Sequence, residues 1–208
     1  MSAGLELRQI ECVRGRRSLF KSLDLLVQPG HLLRLQGANG AGKTSLLRMI
    51  CGLLAPAHGE VLWRGQRIAA LREEFGKELV YLGHAAALKD DLSALENLQT
   101  ASVLGGRAVT AAQASAALAE AGLRGRERAP ARVLSQGQRK RVALARLVLS
   151  GDAPLWVLDE PFNALDTAAG AWLVGLVSAQ VERGGIVVLT SHQSVAFSDA
   201  LPQVALQL

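Results

Sequence analysis

The chain has 208 residues, with 23 Lys plus Arg against 18 Asp plus Glu, and 50% of it is hydrophobic; this excludes a disordered or fibrous protein and gives enough chain for a sizeable core. Cys12 and Cys51 stand apart without a CxxC pair, which excludes a zinc module, a disulfide scaffold or a covalent c-type haem attachment and fits a reducing compartment. The N-terminal segment lacks an apolar signal core and no run approaches the roughly 18 apolar residues of a membrane span, so the expected location is cytoplasmic. The net charge of +5 suits nucleic acid, an anionic membrane surface or nucleotide phosphates alike.

Alternation predicts strands near Leu5 to Cys12 and Leu23 to Val27, an antiparallel opening around the basic turn Arg14, Gly15, Arg16, Arg17. A third strand, His31 to Gln36, leads through a glycine-rich turn into a helix from Lys43 to about Leu54, closed by Pro56 and Gly59. Glu60 to Arg64 and Arg67 to Leu71 flank a turn at Gly65, and Leu79 to Leu82 reads as a buried strand. From Ala85 to about Ser150 the texture turns Ala-rich and helical, notably at Ala111 to Ala121 and Val142 to Leu149, which predicts a helical insertion. Short apolar runs return at Leu155 to Leu158 and Gly185 to Thr190, in the manner of buried parallel strands. The tail after Asp199 carries no pattern.

Gly37, Ala38, Asn39, Gly40, Ala41, Gly42, Lys43 and Thr44 match GxxxxGK[ST] between a predicted strand and a predicted helix. Such a loop turns successive backbone N–H groups toward a β-phosphate, and the helix N-terminus adds partial positive charge. Lys43 is expected to bridge the β- and γ-phosphates, the Thr44 hydroxyl to ligate Mg²⁺, and Ser45 to reach the α-phosphate. More than a hundred residues later the strand Leu155 to Leu158 ends in Asp159 and Glu160. Successive strand residues point to opposite sides, so Asp159 is expected to hold Mg²⁺, directly or through water, and Glu160 to polarise the attacking water. His192 follows another apolar strand and is placed to hold the γ-phosphate and that water.

Ser135 and Gln138 have the spacing of a capping box before a helical run from Arg139 to Leu149, and with the small Gly137 they also form an anion-binding helix start. LSQGQ followed by RKRVALARLVL resembles the LSGGQ signature and helix of ABC (ATP-binding cassette) transporter nucleotide-binding subunits, with Gln136 in place of a glycine. The resemblance covers nearly the whole chain. It implies a single nucleotide-binding domain over residues 1–208, an α/β P-loop NTPase fold of the ABC-ATPase type. Such a fold has a mostly parallel core sheet, an N-terminal antiparallel β portion, and a helical subdomain inserted at about residues 85–150. It also implies ATP and Mg²⁺ as ligands and a head-to-tail dimer in which Ser135, Gly137 and Gln138 complete the partner's site. Asp166 matches the aspartate that communicates between the two sites. Eight basic residues against one acid between Arg124 and Arg146 would otherwise suggest nucleic acid, but a basic signature helix is ordinary in this family, and no nucleic acid is expected.

Two positions depart from the family pattern. Where an aromatic residue usually stacks on adenine, counting back from Leu19-Phe20 lands on Arg14, whose guanidinium can stack on a base. Where a glutamine usually contacts Mg²⁺, after Val80-Tyr81-Leu82-Gly83, this chain has His84. The stretches Cys12 to Phe20, Tyr81 to His84 and Leu88 to Leu98 resemble one subfamily, the haem-exporter ATPase of bacterial cytochrome c maturation. That resemblance implies a peripheral subunit on the cytoplasmic face of the inner membrane, with integral-membrane permease partners; the four scattered histidines and the two cysteines without an attachment motif lead to the expectation of no haem site in this chain. The same motifs are compatible with the ATPase of another ABC transporter, or with a soluble ABC ATPase acting on ribosomes or nucleic acid.

Overall fold

The computed structural model describes residues 4–150, 152–191 and 195–208. Ten residues of alternating burial make β1 (Leu5–Arg14), which pairs antiparallel with β2 (Arg17–Val27) and with β4 (His58–Trp63). With the short β5 (Gln66–Arg67) they form a four-stranded sheet in the order β2-β1-β4-β5. The basic turn is thus the tip of a hairpin whose arms run further than the alternation alone indicates, Arg14 lying opposite Arg17.

The second sheet is parallel throughout, in the order β6-β7-β8-β3-β9, built from β3 (Leu32–Gln36), β6 (Leu79–Leu82), β7 (Leu155–Leu158), β8 (Ile186–Thr190) and β9 (Gln203–Gln207). Every residue of β7 and β8 is buried, as expected of strands covered on both faces. The two-residue period sorts them cleanly. Leu155, Val157, Ile186 and Val188 join α1 (Lys43–Ile50) and the antiparallel sheet in one core. Trp156, Leu158, Val187 and Leu189 face a second core, formed with α6 (Gln136–Val148) and α7 (Thr167–Glu182).

Between β6 and β7 the chain forms a helical lobe from α4 (Ala94–Leu104), α5 (Ala111–Glu120) and α6, with a core that includes Leu98, Ala117, Leu118 and Val142. Reciprocal capping boxes at Ser93/Glu96, Thr110/Gln113 and Ser135/Gln138 start its three helices. The side chain of Asn97 fastens the entry to the lobe: it accepts from Lys89 N and donates to the carbonyls of Lys89, Leu92 and Ser93.

Four expectations are corrected. The helix expected to reach Leu54 stops at Ile50, because the chain reverses at Gly52 (φ 71°) and its N–H bonds back to Met49 O, well before Pro56. The arm expected as Arg67 to Leu71 is a strand only at Gln66–Arg67; Ile68–Leu71 is a helical turn, α2, followed by the short α3 (Glu73–Glu78). The patternless tail contains β9, which lies parallel to β3 from Leu32↔Gln203 to Gln36↔Gln207 at the sheet edge. The helix beginning at Arg139 in the sequence reading begins at Gln136, so the LSQGQ glutamines lie in its first turn.

Candidate nucleotide and hydrolysis site

The glycine-rich loop joins the end of β3 to α1, so the fold delivers it to the edge where the parallel strands end. Gly42 is the N-cap of α1 at φ 110°, and a Cβ there would come within 2.7 Å of Phe20 Cε1. Only glycine satisfies both conditions. No side chain caps α1 and no acid occupies its first turn, which leaves its leading N–H groups directed at the loop. The Lys43 ammonium folds back across the loop and donates to Gly37 O at 2.7 Å and Ala38 O at 3.1 Å.

The acidic pair is tied to this loop by a short chain of hydrogen bonds. Thr44 Oγ1 donates to Asp159 Oδ2 at 3.0 Å, and Thr190 Oγ1 donates to Asp159 Oδ1 at 2.9 Å. The same Thr190 oxygen accepts from the Glu160 backbone N–H at 2.8 Å. Asp159 and Glu160 are both buried. Both acids line one cleft and neither belongs to the strand: β7 ends at Leu158, so strand alternation does not set them apart, and Glu160 takes a left-handed backbone (φ 49°). That conformation costs a non-glycine residue about 1–3 kcal/mol and is held by the bond to Thr190.

A cleft of about 590 Å³ collects Arg14, Asn39, Gly40, Gly42, Lys43, Thr44, Ser45, His84, Asp159 and Glu160, and adds Leu19 and Asn163. Gly37 and Ala38 lie behind it as acceptors for Lys43, and Ala41 N bonds to Ala38 O in the loop itself. His84 stands at the junction of this cleft with a groove of about 630 Å³ between the core and the helical lobe, and Thr44 and Asp159 line both. His192 lies outside the described residues.

Ser135, Gly137, Gln138 and Asp166 are not among the residues lining the cleft. Ser135 accepts from Gln138 N while Gln138 Oε1 accepts from Ser135 N, so both side chains close the start of α6. Gly137 is pressed against the loop after the acidic pair: a Cβ on it would sit 2.6 Å from Ala164 O. Asp166 caps α7, accepting from Ala169 N at 2.8 Å.

Thr190, Asn163 and Lys140 are site residues that the sequence reading passes over. Thr190 had a signal, since it is the one polar side chain closing the apolar run Ile186 to Leu189, and it is fully buried.

The chain belongs to the ABC transporter family, which it matches over residues 20–163. Its particular relatives are CcmA proteins. It is 52% identical over 191 residues to the cytochrome c biogenesis ATP-binding export protein CcmA of Dechloromonas aromatica, covering 92% of this chain and 93% of that protein. The protein of the same description from Nitrosospira multiformis is 48% identical over 199 residues, covering 96% of each. The fold is similar to the dimeric post-hydrolysis structure of the ATP-binding cassette MJ0796 bound to ADP and Pi, with a TM-score of 0.78 at 25% identity over 91% of this chain and 88% of that one. The chain is accordingly an ABC-type ATPase subunit, and no helix among the described residues is long and apolar enough to cross a membrane.

Proposed function

We propose that this chain hydrolyses ATP to ADP and phosphate for the export system of cytochrome c biogenesis, docked from the cytoplasmic side on integral-membrane permease subunits. The identity to CcmA proteins over more than nine-tenths of the chain supports the assignment to that system. The observation that carries the chemistry is the linkage Thr44–Asp159–Thr190–Glu160, which joins the phosphate loop to the acidic pair across the cleft.

In this reading the N–H groups of the 37–44 loop and the N-terminus of α1 receive the phosphates, with Ser45 on the α-phosphate. Lys43 exchanges its two carbonyl partners for β- and γ-phosphate oxygens. Arg14, on the cleft wall beside Leu19, stacks on the base. Glu160 accepts a proton from the water that attacks the γ-phosphorus, the bond to the β–γ bridging oxygen breaks, and His192 orients that water. Negative charge left on the ADP side is met by Lys43 and by the loop N–H groups.

The donor set fits a magnesium ion. One hydroxyl (Thr44) and one carboxylate (Asp159) stand 3.0 Å apart, hard oxygens of the kind Mg²⁺ takes together with substrate phosphates, and no cluster of three or more His, Cys, Asp or Glu among the described residues competes as a separate cage. Bound there, the ion would neutralise developing charge on the phosphates. His84, beside both ligands, would take the place of the family's glutamine.

Ser135, Gly137 and Gln138 lie outside their own chain's cleft, which supports their acting on the nucleotide of a second subunit in an ATP-dependent head-to-tail dimer, as does the dimeric form of the MJ0796 cassette. Asp166, at the start of α7 near that contact, connects the two sites. Haem, on this account, is handled by the membrane partners.

The test is to isolate a Glu160→Gln variant, held in the ATP-bound state, from gently solubilised native membranes and identify what accompanies it by mass spectrometry. A small set of integral-membrane proteins that includes cytochrome c maturation components is expected. Recovery of ribosomal or nucleic-acid material alone would overturn the membrane assignment.

A further inference from the structure

Lysine is among the side chains least often buried in proteins without a partner. Lys140, in the second turn of α6, is only 8% exposed, and among the described residues it makes no hydrogen bond or ion pair. Its neighbours on the same helix, Ala143 and Leu144, are apolar and buried. Its polar end opens into the groove between the helical lobe and the core, which Asp159, Thr44 and His84 line from the other side, along with the cations Arg48 and Arg146. It also lines the adjoining cavity with Asn163 and Ala164, the residues that follow the acidic pair. Burial pushes its ammonium below the ordinary lysine range, and the charges of Asp159 and Glu160 act in the opposite sense. Among the charged residues lining that groove, Asp159 is the carboxylate, while Arg48 and Arg146 carry the same sign of charge as the ammonium.

This places α6 in contact with two things at once. Its first residues present the LSQGQ segment, whereas Lys140, further along the helix, shares a groove with Asp159 of its own chain. Gly137, within that segment, packs against Ala164 O. We infer that Lys140 is a positioning residue for hydrolysis: its ammonium, carried by the helical lobe, draws that lobe onto the Asp159–Glu160 pair of the same subunit and so keeps the pair in its working arrangement. The inference rests on the reading of Glu160 as the group that activates water. It assigns to Lys140 no contact with nucleotide.

The experiment uses the full chain, purified with the membrane proteins that accompany it, in four forms: wild type, Lys140→Met, Lys140→Arg and Glu160→Gln. Phosphate release gives kcat and KM, a fluorescent ATP analogue gives nucleotide affinity, and thermal unfolding reports on the fold. For Lys140→Met the expected result is a kcat lower by about tenfold, the scale of one lost charge interaction in a partly screened site. KM and analogue affinity stay within about threefold, and the melting temperature is unchanged or raised, since replacing a buried charge by an apolar chain is often neutral or stabilising. Lys140→Arg is expected to recover most of the rate. A Lys140→Met enzyme with wild-type kcat overturns the inference. So does a loss of rate that follows the melting temperature across both variants, with arginine no better than methionine. If wild type and Glu160→Gln hydrolyse ATP equally, it is the role of Glu160 that has failed, a result distinct from either.

Discussion

Thr190→Val keeps the shape of a fully buried side chain and replaces its hydroxyl with a methyl group. Two bonds go with it: the donation to Asp159 Oδ1 at 2.9 Å and the acceptance from Glu160 N at 2.8 Å. A hydrogen bond to a charged group contributes about 1.5–3 kcal/mol, and a buried N–H left without an acceptor costs about 1–3 kcal/mol. Allowing for the added methyl burial and partial relaxation, the fold should lose about 3 kcal/mol, which for a chain of this size lowers the melting temperature by roughly 6–12 °C. The catalytic loss should be the larger signal. With its tether removed, the left-handed Glu160 backbone can recover the strain of about 1–3 kcal/mol by rotating to an ordinary conformation, moving its carboxylate off the attack line. Phosphate release should then fall by more than about tenfold. Nucleotide binding should change little, because Lys43 and its loop are untouched. Thermal unfolding followed by circular dichroism and a phosphate-release assay, with Thr190→Ser as the hydroxyl-retaining control, measure both quantities. A valine variant with wild-type kcat would refute the idea that Thr190 holds the acid pair.

Asn97→Ala removes four hydrogen bonds at the entry to the helical lobe and leaves Lys89 N–H without its acceptor, so about 3 kcal/mol of stability should go, with faster amide exchange at Lys89 than elsewhere in the lobe. Gly137→Ala would force a Cβ to within 2.6 Å of Ala164 O, so the 163–166 loop must shift: ATP-dependent self-association, measured by sedimentation, should weaken while the unfolding temperature stays close to wild type. Cys12 and Cys51 are both buried free thiols, and burial pushes the Cys51 thiol far above its ordinary value. The native protein should therefore show no fast-reacting thiol toward an aromatic disulfide reagent near pH 8, and both should react after denaturation. In alkali the unfolded chain releases the Cys51 proton while the folded chain retains it, so that residue's contribution to stability declines as pH rises through the ordinary thiol range.

The phosphate loop was legible because its meaning is local: glycines, Lys43 and Thr44 specify a turn and a helix start whatever lies around them. The capping-box spacing of Ser135 and Gln138 marked the approach to α6 for the same reason, although the helix begins at Gln136 rather than at Arg139. Elements whose identity depends on tertiary contacts were harder to read. In α7, Trp172, Leu173, Val174, Leu176 and Val177 spread apolar surface around much of the helix, so no polar face announced it. The strand β9 owes its existence to pairing with β3, which nothing in QVALQ specifies. Strand alternation does not govern Asp159 and Glu160, because β7 has already ended at Leu158; the left-handed Glu160 backbone depends on tertiary contacts such as the bond from its N–H to Thr190, thirty residues on. Lys140 is, in the sequence, one of eight basic residues between Arg124 and Arg146, and nothing there says which of those cations turns inward.

In the proposed function Lys43, Thr44, Asp159 and Glu160 form one ATP-hydrolysing site that a second copy of the chain completes. Sedimentation of purified Glu160→Gln with and without magnesium and ATP tests it most directly. The account predicts a monomer without nucleotide and a stable dimer of doubled mass with ATP, dispersed by adding Lys43→Ala to the same chain. A Glu160→Gln protein that remains monomeric with saturating ATP, or that turns over ATP at the wild-type rate, would contradict it.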